Sequence, residues 1–117
     1  MQDTVYTTTP SPEIVKILER QGFTRTRGVA NTPFFEHGSI QIFVSPNPMT
    51  SRELDEGLTR IVVEGKAPQD QTVLLRDIPH LERFLAGLKD VDIRIAHTHP
   101  VRLHEYITSL TQYSTTH

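Results

Sequence analysis

The 117-residue sequence contains no cysteine. That excludes a disulfide framework, thiolate-ligated zinc, iron–sulfur clusters and thiol catalysis. It also lacks an excess of charge of either sign. Twelve Lys and Arg face fourteen Asp and Glu, for a formal net charge of -2, and each half of the chain is balanced in the same way. The basic stripe of a dedicated nucleic-acid binder is therefore missing. No apolar run is long enough to span a membrane, and Met1 to Pro10 has neither the apolar core nor the basic flank of a secretory signal. The six glycines are scattered, so no phosphate-cradling loop exists. These absences leave a cytoplasmic protein without a membrane partner as the expectation.

The length suits one domain. The Thr-rich residues 1–10 read as a flexible N-terminal segment, residues 11–113 as the folded domain, and residues 114–117 as a flexible tail. Ser11, Pro12 and Glu13 open a first helix with Ser11 as its cap. Ile14, Val15, Ile17 and Leu18 form its apolar stripe, and Gly22 closes it. Thr24 to Ala30 is a candidate strand, followed by a turn at Asn31-Thr32-Pro33. A hairpin around His37-Gly38 joins Phe34–Glu36 to Ile40–Ser45.

Thr50-Ser51-Arg52-Glu53 has the form of a capping box and starts a second helix. Glu53, Asp55 and Glu56 read there as carboxylates favoured by the helix dipole. Residues 60–63 fit either the end of that helix or the start of a strand. Thr72 to Arg76 reads as a buried strand. Asp77 then caps a third helix with Pro79 in its first turn, and His80 reads as a surface residue. Val91, Ile93 and Ile95 alternate as a strand, and Thr98-His99-Pro100 opens a fourth helix.

The predicted order is α-β-β-β-α-β-α-β-α. The later strand–helix–strand spacing suits a parallel crossover, and the hairpin suits antiparallel pairing. The predicted fold class is α+β with a mixed sheet.

Residues 11–63 resemble the HicA-like mRNA-interferase toxins, whose fold is like a double-stranded-RNA-binding domain. The matching residues are Gln21-Gly22-Phe23, Arg27-Gly28, Phe35-Glu36-His37-Gly38, Val44-Ser45-Pro46 and Gly57 to Val62. The family's catalytic His follows the first-strand Gly. Here Val29-Ala30-Asn31 follows Gly28, so the resemblance implies a non-cleaving relative or a reused scaffold. Lys16, Arg20, Arg25 and Arg27 would supply phosphate contacts. Phe34 would stack on a base, with His37 beside it in the hairpin. The plainer alternative is a solvated charged face with Phe34 packed in the fold.

Ile95 to Pro100 carries the sharpest local chemistry. If the segment is extended, His97 and His99 project to one side and form a pair of zinc ligands, with His104 as a third. The sequence His97-Thr98-His99-Pro100 also resembles the JAMM-type zinc metalloproteases within residues 81–112. That family continues with Ser-x-x-Asp after an upstream Glu. Here Ser109 is followed three residues later by Gln112, and Glu64 is the upstream carboxylate that would assist the reaction in place of the family's Glu.

The leading expectation is a small non-enzymatic binding module that contacts another protein or, weakly, nucleic acid, with no cofactor. The second is a zinc-dependent hydrolase centred on His97 and His99. The third is a small inhibitor or accessory protein of a mobile element. Oligomeric state stays open.

Overall fold

A computed structural model of the chain describes residues 2–26, 34–45, 47–65 and 71–116. The elements, in order, are β1 (Gln2–Thr7), α1 (Ser11–Arg20), β2 (Thr24–Thr26), β3 (Phe34–His37), β4 (Ile40–Val44) and α2 (Ser51–Glu56). They are followed by β5 (Thr59–Gly65), α3 (Gln71–Ala86), β6 (Asp92–Ile95), β7 (His99–Val101) and α4 (Leu103–Thr116). The strands form one seven-stranded sheet in the order β2-β3-β4-β5-β1-β6-β7. The fold is α+β. No helix among the described residues is long and apolar enough to cross a membrane.

Every described strand pair is antiparallel, so the sheet is not mixed. The expected parallel crossover needed a strand at Thr72–Arg76, and those residues are the first turns of α3. The helix begins upstream of Asp77, which is therefore not its cap, and Pro79 lies inside the helix. Thr98-His99-Pro100 does not open a helix either. His99 and Pro100 form β7, paired with β6, and α4 starts at Leu103 and runs to Thr116. The expected tail at 114–116 is thus helical.

The largest correction concerns the N-terminus. Residues 2–7 are an inner strand of the sheet, paired with β5 from Gln2↔Glu64 to Thr7↔Thr59 and with β6 from Thr4↔Arg94 to Tyr6↔Asp92. The threonines that suggest a loose segment fasten the α3–β6 connection. Thr7 donates its hydroxyl to the Lys89 carbonyl, the Lys89 N–H donates to Thr9 Oγ1 at 2.8 Å, and Thr8 donates to Asp90 at 2.8 Å.

The front half follows its expected order α1-β2-β3-β4-α2. The cap of α1 is Pro10, which makes no side-chain bond, and Ser11 is the first helical residue. Gly22, at φ +88°, ends the helix, and Phe23 N–H donates back to the Leu18 carbonyl at 3.0 Å. Thr50 caps α2 by accepting from Glu53 N–H at 3.1 Å. Gly57, at φ +65°, stops that helix after six residues. Residues 60–63 therefore belong to a strand, β5.

One core cluster joins the strands to three helices. Val5, Phe35, Ile42, Ile61, Val63 and Ile93 meet Ile14 and Leu18 of α1, Leu81, Phe84 and Leu85 of α3, and Tyr106 and Leu110 of α4. Alternation along each strand puts these residues on one face of the sheet. On the other face the registers align one row across all seven strands: Thr26, Phe34, Phe43, Val62, Thr4, Arg94, Pro100.

Candidate functional site

The three histidines proposed from sequence as zinc ligands do not form a common site. Ala96 and His97 both have positive φ, 51° and 67°, and Thr98 N–H closes the turn on the Ile95 carbonyl at 3.2 Å. Residues 97 and 99 are then no longer i and i+2 of an extended strand. His97 Nδ1 is hydrogen-bonded to Thr4 Oγ1, on the row of the face without core residues. His99 pairs with Ile95 and has the parity of the core face. His104 is exposed in the first turn of α4. Among the described residues, no group of three or more His, Cys, Asp or Glu is placed to hold a metal.

The expected basic and aromatic surface is divided between faces. Lys16 and Arg20 are exposed on α1, in the helical layer. Arg25 is register-paired with Phe35 on the core side, its guanidinium 5.9 Å from that ring. Phe34 is on the other face, stacked on Phe43 with ring centroids 4.5 Å apart. Arg27 lies outside the described residues.

His37 is placed differently from the expected contact role. Its Nδ1–H donates to Asp77 Oδ1 at 3.2 Å, since a carboxylate only accepts. Asp77 Oδ2 accepts from both the N–H and the hydroxyl of Ser39, each at 2.8 Å. His80 stacks on His37 at 4.0 Å and donates from Nδ1 to the Gln21 carbonyl at 3.1 Å. An imidazole fixed by a buried carboxylate is the half of a general-base arrangement that sets the tautomer. Here all its bonded partners belong to the fold, and together they fasten the hairpin to α3. The group is not legible in the sequence, where Asp77 has the form of a helix cap forty residues from His37.

Two of the clefts among the described residues lie elsewhere. The first, of about 290 Å³, is lined by Gln2, Asp3, Ile95, Ala96, Tyr106, Ser109 and Leu110. Its buried carboxylate is fully engaged: Asp3 Oδ1 accepts from Ala96 N–H at 2.9 Å, and Oδ2 accepts from the Tyr106 hydroxyl at 2.8 Å. Burial, the Asp3 charge and the donated hydrogen bond hold the Tyr106 hydroxyl well above the usual phenol range, so it stays a donor. Tyr106→Phe should cost about 2 kcal/mol by leaving Asp3 Oδ2 unpaired in the interior. That is a Tm fall of about 8 °C by differential scanning calorimetry. An unchanged Tm would show that this bond does not brace β1 against α4.

The second cleft, of about 370 Å³, lies where β4, α2 and β5 meet the start of α1, and Glu53 forms part of its wall. Glu53 is 1 % exposed, and neither carboxylate oxygen has a hydrogen-bond partner.

The face without core residues has its own pattern. Phe34, Phe43 and Val62 are half-buried neighbours in the central row. A polar row, Thr24, Glu36, Gln41, Glu64 and Gln2, runs along one side. Arg60, Tyr6 and Asp92 run along the other. Arg52 of α2 reaches over this last row, 5.1 Å from the Tyr6 ring and 3.0 Å from Asp92. A hydrogen bond from Arg94, with a further one from Arg52, holds the Asp92 carboxyl below its ordinary range.

No family model, curated protein or solved structure matches the chain.

Proposed function

We propose that the chain is a non-enzymatic protein-binding module that recognises its partner through the open face of the sheet. The observation that carries this reading is the central row. Phe34, stacked on Phe43, and Val62 form a narrow apolar strip between two rows of polar and charged side chains. An aromatic centre inside a polar rim is the usual anatomy of a protein–protein contact, and such aromatics carry a large share of the binding energy. Among the described residues, α1, α3 and α4 pack on the opposite face.

The charge pattern favours a protein over a nucleic acid. Glu36, Glu64 and Asp92 flank the strip together with Arg60, and Arg94 is already bonded to Asp92. Phosphate binding needs uncompensated cations beside the stacking rings, and Lys16, Arg20 and Arg25 sit on the other layer.

The test is site-specific cross-linking in the source cells. A photoreactive residue in place of Phe43 should give one discrete protein adduct. The same residue in place of Glu82, exposed on α3, should not. Excess unlabelled protein should compete the adduct away, and the Phe34→Ser variant should not. Adducts to RNA, or equal protein adducts from both positions, would overturn the proposal.

A further inference from the structure

The Glu53 cleft is independent of the open-face strip. Its chemistry begins with an incomplete cap. A capping box predicts that the Glu three residues after Thr50 folds back to the cap N–H. Only one half forms: Glu53 N–H donates to Thr50 Oγ1, while the Glu53 carboxylate goes unused. The closest cation is Arg60, whose Nε stands 3.9 Å from Oε1, beyond hydrogen-bond reach, on a side chain 28 % exposed to solvent. A buried carboxylate without donors is costly. The other buried carboxylates, Asp3 and Asp77, are each bonded through both oxygens.

The surroundings indicate what would satisfy it. The cleft wall supplies the apolar surfaces of Pro48, Leu54 and Leu58 alongside Ser45 and Thr59. Its volume falls in the range of small-ligand sites. The two exposed large hydrophobic side chains among the described residues, Met49 and Leu54, are also on this segment. A lone carboxylate with no further acidic or imidazole ligand is a poor match for a metal ion. It is a good match for a group made only of N–H donors.

We propose that this cleft binds an organic cation, an ammonium or guanidinium group on a short apolar stem, with Glu53 as its carboxylate partner. Ammonium offers three donors and guanidinium five. The stem lies on Leu54 and Leu58. Such a group belongs either to a free amine or to a Lys or Arg side chain of a polypeptide.

The experiment is a titration of the ¹⁵N-labelled full chain followed by amide NMR. The probes are n-butylammonium, agmatine and the blocked peptides acetyl-Gly-Lys-Gly-amide and acetyl-Gly-Arg-Gly-amide. At least one should give saturable shifts at Ser45, Leu54, Leu58 and Thr59, with Kd of about 1 mM or tighter. Tighter binding of the peptides than of the free amines assigns the cleft to a protein side chain; the reverse order assigns it to a small molecule. n-Butanol, which has the stem without the charge, should bind at least about tenfold more weakly. Glu53→Gln should abolish the shifts and raise Tm, because it keeps the shape and removes a buried charge. Leu54→Ala, at an exposed position, should weaken binding about fivefold.

The proposal is overturned if no probe saturates, if magnesium chloride alone produces the same shifts, or if Glu53→Gln binds like the parent. A Tm that falls in Glu53→Gln together with retained binding would make Glu53 a structural residue only.

Discussion

A chain that begins at Ser11 is expected not to fold. Removing the first ten residues takes β1 out from between β5 and β6, where it makes six register pairs on one side and three on the other. Two pieces of sheet are left, β2-β3-β4-β5 and β6-β7, each with a new unpaired edge. The truncation also removes Val5, which is fully buried, and the Asp3 carboxylate that holds Ala96 and Tyr106. The Thr7 and Thr9 hydroxyls and the Thr8 N–H, which pair with Lys89, go with them. Each lost buried bond leaves a partner unsatisfied at about 1–3 kcal/mol, and Val5 adds about 2 kcal/mol. Together with the lost ladder these exceed the roughly 5–15 kcal/mol by which a domain is stable. Circular dichroism of the truncated chain should show no cooperative thermal transition. A sharp transition near that of the full chain would refute the central place of β1.

Gly38→Ala should be the most damaging single substitution at a surface position, costing about 3 kcal/mol, or more than about 10 °C in Tm. Gly38 has φ +58°, where a side chain is strained by about 1 kcal/mol or more. A methyl group there would also stand 2.6 Å from Asp77 Oδ1 and 2.7 Å from Asp77 Cγ. Asp77 cannot swing away, because Ser39 and His37 hold both of its oxygens. Overpacking of that kind adds about 1–3 kcal/mol. Gly57→Ala separates the two contributions. Its φ is similar, +65°, yet nothing lies within 4 Å of the added methyl. It should therefore cost only about 1 kcal/mol. In an Asp77→Ala background the Gly38→Ala cost should shrink to that same backbone part, a coupling of at least about 1 kcal/mol. Additive costs in the double variant would mean that the carboxylate is not the obstacle.

Local signals proved legible where one residue type has one strong physical preference. Ser11-Pro12-Glu13, Gly22 and the Thr50 cap placed α1 and the start of α2 to within a residue. The alternation of Ile40, Ile42 and Val44 gave the correct inward face of β4, and all three are fully buried. Residues whose role depends on distant partners were not legible. The N-terminal threonines look solvated until Lys89, eighty and more residues away, is seen to receive them. The apolar run Val73-Leu74-Leu75 suits a buried strand or a helix equally well, and choosing the strand created the false parallel crossover. The His97 and His99 pairing assumed extended backbone, and two successive left-handed residues turned the imidazoles to opposite faces. Glu53 was visible as a capping-box residue. That its carboxylate is buried without a hydrogen-bond donor, and with only the distant Arg60 as counter-charge, follows only from where α2 and β5 meet.

The sheet order bears on how the chain reaches its fold. The first of these strands in the chain ends up between the fifth and sixth. Gln2 finds Glu64 62 residues away, and Asp3 receives Ala96 93 residues away. Neither pairing can begin until those later segments have been made, so β1 waits for its sheet partners while the intervening residues are synthesised. A topology this rich in long-range pairs places folding toward the slow, millisecond-to-second end of the range for small domains. The fully buried Val5 and the Tyr6 ring are then exposed in the nascent chain until those segments arrive, and the polar threonines around them keep that waiting segment from being a long apolar run.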